Sequence, residues 1–265
     1  MIKLIVSDID GTLTEDGGSS LDPELYEVIL RLKEQGIYFA AASGRHATSI
    51  EHIFKPIREK LFYIGDNGAY LGCYGRSLFQ SEYRQEMARD VITDMRKQGL
   101  DILVDCADCA YTDSKNKEFL DWILNGYHFR LVQVEDLNSL KVPIVKIAGC
   151  RMSGVERLAE PIIQKYSKAL KVTLAGMQWI DTMDPAVNKG NAVKLLQESL
   201  EILPEETMAF GDQLNDIEML KRAYYSFAVS NARPETKQAA RFLADSNVNG
   251  GPLKIMKLLL KQETA

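Results

Sequence analysis

The sequence predicts an α/β protein, and three segments at its start carry that prediction. Ile2 to Val6 is a segment of strand length in which Ile2, Leu4, Ile5 and Val6 are apolar, Leu25, Val28, Ile29 and Leu32 recur at the spacing of one helical face, and Ile37 to Ala42 is apolar again. Asp22-Pro23 offers an N-cap followed by proline at the first helical position, and Gly36 stands where a left-handed C-cap would end the helix. A strand, a helix of about a dozen residues and a second strand make a βαβ unit, whose strands lie parallel with a right-handed crossover.

The same alternation returns late in the chain. A helix is expected from Asn188 to Leu200, a strand over Thr207 to Phe210, a helix from Asp216 to Arg222, a strand over Ser226 to Val229 and a closing helix from Leu253 to Leu260. The middle reads differently. Between Glu82 and Ala186 helical patterns mix with strand segments: Asp101 to Val104, Val145 to Gly149, and Val172 to Ala175 before Trp179 to Asp181. That is an α+β pattern, so residues 82–186 are expected to be a second domain inserted between core segments 1–81 and 187–265.

Composition narrows the function. The 265 residues are 46% hydrophobic and 26% charged, as in an ordinary globular protein. With 32 basic against 37 acidic residues the net charge is −5, and no basic tract interleaved with aromatics suggests nucleic acid as partner. No run of eighteen apolar residues occurs, and Asp8 interrupts the apolar start before a signal peptide could be completed, so neither a membrane span nor export is expected. A cytoplasmic protein with its four cysteines reduced, and a monomer or weak homo-oligomer, is the expectation.

The first chemical signal is Ser7-Asp8-Ile9-Asp10-Gly11-Thr12. Positions 8 and 10 of an extended segment point to one side, at the carboxyl end of a strand in a parallel sheet, which is the edge where ligands bind. Two carboxylates held close repel unless a cation compensates them, and oxygen-only ligands suit a hard ion such as magnesium. Read alone, Asp-Gly is also an ordinary turn. A calcium loop starting at Asp8 would need an acidic or amide residue, glycine and glutamate where Thr12, Leu13 and Ser19 stand.

Gly211-Asp212-Gln213-Leu214-Asn215-Asp216 follows another apolar strand, so Asp212 would join the same sheet edge, with Asn215 and Asp216 on the turn into the next helix, orienting ligands or water. An N-cap aspartate would look the same. Ser43-Gly44-Arg45 follows Ala40-Ala41-Ala42, and Lys189-Gly190 opens a helix. A serine with adjacent N–H groups cradles phosphate and a lysine supplies a point charge, though a helix cap and a solvated lysine account for each fragment alone.

Taken in order, DxDGT, SGR, KG and GDxxND, the fragments resemble the haloacid dehalogenase superfamily, and more narrowly its Cof-type phosphatases with a large α/β cap inserted between the second and third motifs. Asp66-Asn67-Gly68-Ala69 is similar to a turn of that subgroup, whereas Asp184-Pro185-Ala186-Val187 departs from the glycine that relatives often carry before the lysine. The resemblance implies a Rossmann-like parallel core under a cap that sets specificity. It also implies Asp8 as nucleophile through an aspartyl-phosphate, Asp10 as acid/base, and magnesium on Asp8, Asp212 and the Asp10 carbonyl. Lys189 and Ser43 would bind the phosphoryl group with Gly44, Arg45 would reach substrate or cap, and Asn215 and Asp216 would support them.

The expected activity is therefore magnesium-dependent hydrolysis of small phosphorylated metabolites, with sugar phosphates as the class. A phosphomannomutase-like mutase and a non-catalytic metabolite-binding regulator are the alternatives. The signatures G-x-S-x-G, H-E-x-x-H and G-x-x-x-x-G-K-[ST] are absent, and His46, His52 and His128 read as packing or surface residues. Cys106-Ala107-Asp108-Cys109 lacks a second C-x-x-C and reads as two reduced cysteines in a strand-turn-strand.

Overall fold

Leu4–Ser7 is the central strand of the core, and all four of its residues are buried. In the computed structural model, which describes residues 1–15, 17–18 and 20–261, this strand lies between Thr207–Gly211 and Tyr38–Ala42, parallel to both. Ser19, the last position of the rejected calcium loop, is outside the described residues. The full sheet runs Phe242–Ala244, Tyr225–Val229, Thr207–Gly211, Leu4–Ser7, Tyr38–Ala42, Phe62–Gly65, Tyr70–Cys73 and Arg76–Gln80. Its strands are parallel as far as Phe62–Gly65, and Tyr70–Cys73 turns back antiparallel. The α/β expectation holds.

The local signals explain the helices. Asp22 accepts the Glu24 N–H at 2.9 Å and Pro23 opens the helix Pro23–Glu34, which buries Leu25, Val28, Ile29 and Leu32. Gly36 takes φ +79° just past its end, a conformation that suits a residue without Cβ. Asn188 caps Lys189–Leu200 by accepting the Asn191 N–H at 2.8 Å, so the cap fixes Lys189 as the first helical residue. The apolar side of that helix, with Ala192, Val193 and Leu196, packs against Leu4, Val6, Ala40 and Ala42. The expected helix at Asp216 to Arg222 is a 3₁₀ turn, Leu214–Asp216, followed by Ile217–Lys221. The closing helix is Gly251–Lys261.

The chain divides into two compact units, one of Met1–Arg45, Ile50–Leu78 and the residues from Asn188, the other of His46–Ser49 and Phe79–Val187. The second unit has its own sheet, in the order Lys171–Ala175, Trp179–Met183, Lys146–Cys150, Asp101–Asp105, Ala110–Thr112 and Leu131–Gln133. Neighbours are antiparallel except the last pair. The helices Gln85–Lys97 and Glu156–Tyr166 bury Val91, Ile92, Met95 and Ile162 against Ile102, Val104, Ile147 and Ile180. Among these strands sit a buried Lys146 and Asp105, 3.0 Å apart, which interrupt the apolar pattern. No helix among the described residues is long and apolar enough to cross a membrane.

Candidate active site

Asp8 follows directly on the central strand, and its N–H donates to the Phe210 carbonyl at 3.0 Å, which ties it to the neighbouring strand end. Asp212 follows that neighbour, Thr207–Gly211, so the parallel register delivers both carboxylates to one edge of the sheet. Lys189 enters from the first turn of its helix. It is fully buried and donates to Asp8 Oδ1 at 2.5 Å and to Asp216 Oδ1 at 2.7 Å. The other oxygen of Asp216 accepts the N–H groups of Asp212 and Gln213, both at 2.9 Å. Asp216 thus orients the lysine and shapes the loop at once.

Asp212 is fixed in turn by the Thr12 hydroxyl on Oδ1 and by Gln213 Nε2 on Oδ2, both at 2.8 Å. Gly11 lies against it. The φ of Gly11 is +80°, and a Cβ there would stand 2.4 Å from Asp212 Oδ2. Since Thr12 and Gln213 hold that carboxylate, it cannot swing aside. Gly11→Ala is expected to destabilise this unit by about 1–3 kcal/mol, the range for one strained backbone residue. Urea unfolding of wild type and variant measures it, and an unchanged midpoint would contradict the close approach.

The carboxylates of Asp8, Asp212 and Asp216 lie within 4.8 Å of one another with one lysine among them. Burial is the main cause that pushes the Asp8 carboxyl well above the usual range, with Asp216 adding to it and Lys189 opposing it. Burial also raises Asp212, partly offset by the Thr12 hydrogen bond. For Lys189 burial pulls downward, but Asp216 and Asp8 outweigh it and the ammonium is held. Three carboxylates against one ammonium leave a formal charge of −2, which a divalent cation with a preference for oxygen ligands would neutralise. Asp8 and Asp212, which the parallel register brings to one edge of the sheet, are the side chains placed to hold such an ion, while Asp216 is turned to Lys189 and to the N–H groups of its own loop.

Asp10 has partners that the sequence did not reveal. The strand ends at Ser7 and the chain turns at Gly11, so the Asp10 carboxylate faces Arg45, accepting Nε at 2.8 Å and Nη2 at 2.5 Å, and the Gly17 N–H at 3.1 Å. The carboxylates clustered with Asp8 are those of Asp212 and Asp216. Arg45, expected to reach substrate or cap, forms this fork on Asp10 and also donates to the Gly18 carbonyl at 2.8 Å.

Ser43 is buried at the end of Tyr38–Ala42, and its Oγ accepts the Arg45 N–H at 3.1 Å, which leaves the hydroxyl proton to donate elsewhere. Gly44 lies so close to Asn67 that a Cβ would be 3.3 Å from its amide. Asn67 Oδ1 accepts Asn215 Nδ2 at 2.8 Å, joining two loops that bear predicted residues. The turn Asp66-Asn67-Gly68 has φ of +49°, +56° and +99° in succession. Sequence reasoning assigned no role to Thr12, Asn67 or Gln213, although all three stand inside motifs it quoted.

Chains of known family resemble this one over nearly its whole length. A family model described as haloacid dehalogenase-like hydrolase matches residues 5–256. The Escherichia coli (strain K12) protein named 5-amino-6-(5-phospho-D-ribitylamino)uracil phosphatase YbjI is 29% identical, over 99% of this chain and 97% of its own. The HMP-PP phosphatase of Klebsiella pneumoniae (strain 342) is 26% identical, over 89% and 87%. A crystal structure from Eubacterium rectale superposes with a TM-score of 0.89 at 33% identity, covering 97% of this chain and 99% of that one.

Proposed function

The chain belongs to the haloacid dehalogenase-like hydrolases, and from that premise we propose that it is a magnesium-dependent phosphatase of small phosphorylated metabolites, with sugar phosphates as its substrate class. The observation that carries the reading is Asp8: a buried carboxylate at the end of the central strand, with Lys189 2.5 Å from one oxygen and Asp212 close by. Relatives named for phosphatase activity support the reaction, and the phosphorylated ribityl chain in one of those names supports the substrate class.

In this reading an oxygen of Asp8 attacks phosphorus, the bond to the substrate oxygen breaks, and Asp8 carries the phosphoryl group until water displaces it. Asp10 gives a proton to the departing substrate oxygen and takes one from the attacking water, the reversal expected of one group serving both half-reactions. Its fork with Arg45 orients the carboxyl, and that contact has to loosen for Asp10 to carry a proton. Lys189 balances negative charge at Asp8, while the Ser43 hydroxyl and the N–H groups beside it receive phosphoryl oxygens. Magnesium, held by Asp8, Asp212 and the Asp10 carbonyl, would supply positive charge against the phosphoryl oxygens. Selection of the substrate is assigned to the second unit.

Phosphate release from a panel of sugar phosphates, nucleotides and an aryl phosphate, with magnesium and with chelator, tests the proposal. Release that requires magnesium and is strongest for sugar phosphates is the expected result. Isomerisation stimulated by a bisphosphate would replace the reading with a mutase, and binding without turnover would replace it with a regulator.

A further inference from the structure

The turn Cys106-Ala107-Asp108-Cys109 takes no part in the site above. It joins the antiparallel strands Asp101–Asp105 and Ala110–Thr112, in which Asp105 pairs with Ala110, so Cys106 and Cys109 form the next rung. The Cys106 N–H donates to the Cys109 carbonyl at 3.0 Å. Residues opposed on such a rung have Cα atoms about 5.5 Å apart and side chains on one face of the sheet. A disulfide spans Cα separations of about 4.4–6.8 Å. Both residues carry thiols in this structure and each is 5% exposed.

The Tyr111 hydroxyl lies near both cysteines. It is pushed up to about 12, first by its hydrogen bond with Cys109, then by burial and by the proximity of both Cys109 and Cys106. Across the turn, the Cys106 carbonyl accepts His46 Nε2 at 2.7 Å, which fixes the proton on that nitrogen and leaves Nδ1 to accept the Thr48 N–H at 3.2 Å. The turn is thereby anchored from outside, with its two thiols opposed. His46 is also the residue that follows Arg45.

We propose that Cys106 and Cys109 are a reversible dithiol–disulfide site that exchanges with small-molecule disulfides. One thiolate attacks a sulfur of the small disulfide, expelling one thiol and leaving a mixed disulfide on the protein. The second thiolate attacks the protein sulfur of that adduct and expels the other thiol. Two cysteine thiols lose two hydrogens and two electrons, and the small disulfide becomes two thiols. The preformed turn favours the second step, since it holds the partner sulfur at high effective concentration. The ring closed is short, so little chain entropy is removed and reduction stays accessible. Burial raises the Cys109 thiol, so exchange quickens as pH rises.

The test equilibrates the full chain with mixtures of oxidised and reduced dithiothreitol or glutathione, quenches with acid, alkylates under denaturing conditions and reads mass and peptide map. Two of the four cysteines are expected to escape alkylation together, mapping to Cys106 and Cys109, and excess reduced dithiothreitol is expected to restore them. Cys106→Ser and Cys109→Ser should each abolish the internal bond and leave only a mixed disulfide on the remaining partner. Full alkylation under every oxidising mixture, separate glutathione adducts on both cysteines, or a bond that recruits Cys73 or Cys150 would each overturn the proposal. The wild-type result stands whether or not the variants fold.

Discussion

Asp8→Asn is expected to lower phosphate release by about 10⁴-fold or more, the scale on which loss of a nucleophile acts, while leaving the protein at least as stable as wild type. The two halves come from different properties of one carboxylate. An amide oxygen keeps the size and the hydrogen-bonding outline of the side chain but is a far poorer nucleophile toward phosphorus. Stability moves the other way because burial and Asp216 push the Asp8 carboxyl upward more than Lys189 pulls it down. A carboxyl raised on folding disfavours the native state wherever it is ionised in the unfolded chain, that is, at pH above its unfolded value. A neutral amide removes that cost and forfeits one ammonium contact, and the direction of the shift says the first outweighs the second. Parallel thermal melts and phosphate assays decide it. Residual activity within about 100-fold of wild type would move the nucleophile elsewhere, since general acid–base help alone is worth roughly 10²–10⁴-fold.

Much of this arrangement was legible in the sequence because it is local. Asp8 and Asp212 were found by their place after apolar runs, and a parallel sheet turns equivalent places along separate strands into neighbours at one edge. Lys189 was found from a helix start, and Asn188 before it is the cap. Long-range partners were not legible. Nothing in the spacing assigns Arg45 to Asp10 or Asn67 to Asn215, since each pairing joins side chains of separate segments across the fold. The alternation read over Asp8 and Asp10 runs past Ser7, where the strand ends before Gly11 turns the chain, so it could not show that Asp10 bonds to Arg45. Lys146 and Asp105 evade binary patterning for the opposite reason: they are charged residues at buried strand positions, tolerated because each neutralises the other.

Lys189→Met is expected to cost about 3–5 kcal/mol of stability, the usual penalty when one member of a buried ion pair is removed, and to remove activity as well. The lysine is fully buried between Asp8 and Asp216, and methionine fills the space without supplying charge. Asp216 cannot turn toward solvent, since its second oxygen holds the N–H groups of Asp212 and Gln213. The penalty is therefore electrostatic, and it yields to a compensating change. Lys189→Met with Asp216→Asn should regain about 1–3 kcal/mol, the size of coupling between groups in one network, because the amide oxygen still accepts a backbone N–H and only the Asp8 carboxyl is left without its ammonium. Activity should not return, as neither variant restores positive charge beside Asp8. Chemical unfolding of the two single variants and the double gives the coupling. Strict additivity would mean that Lys189 and Asp216 stabilise the fold independently, and the site would then owe its shape to packing rather than to the balance of buried charge.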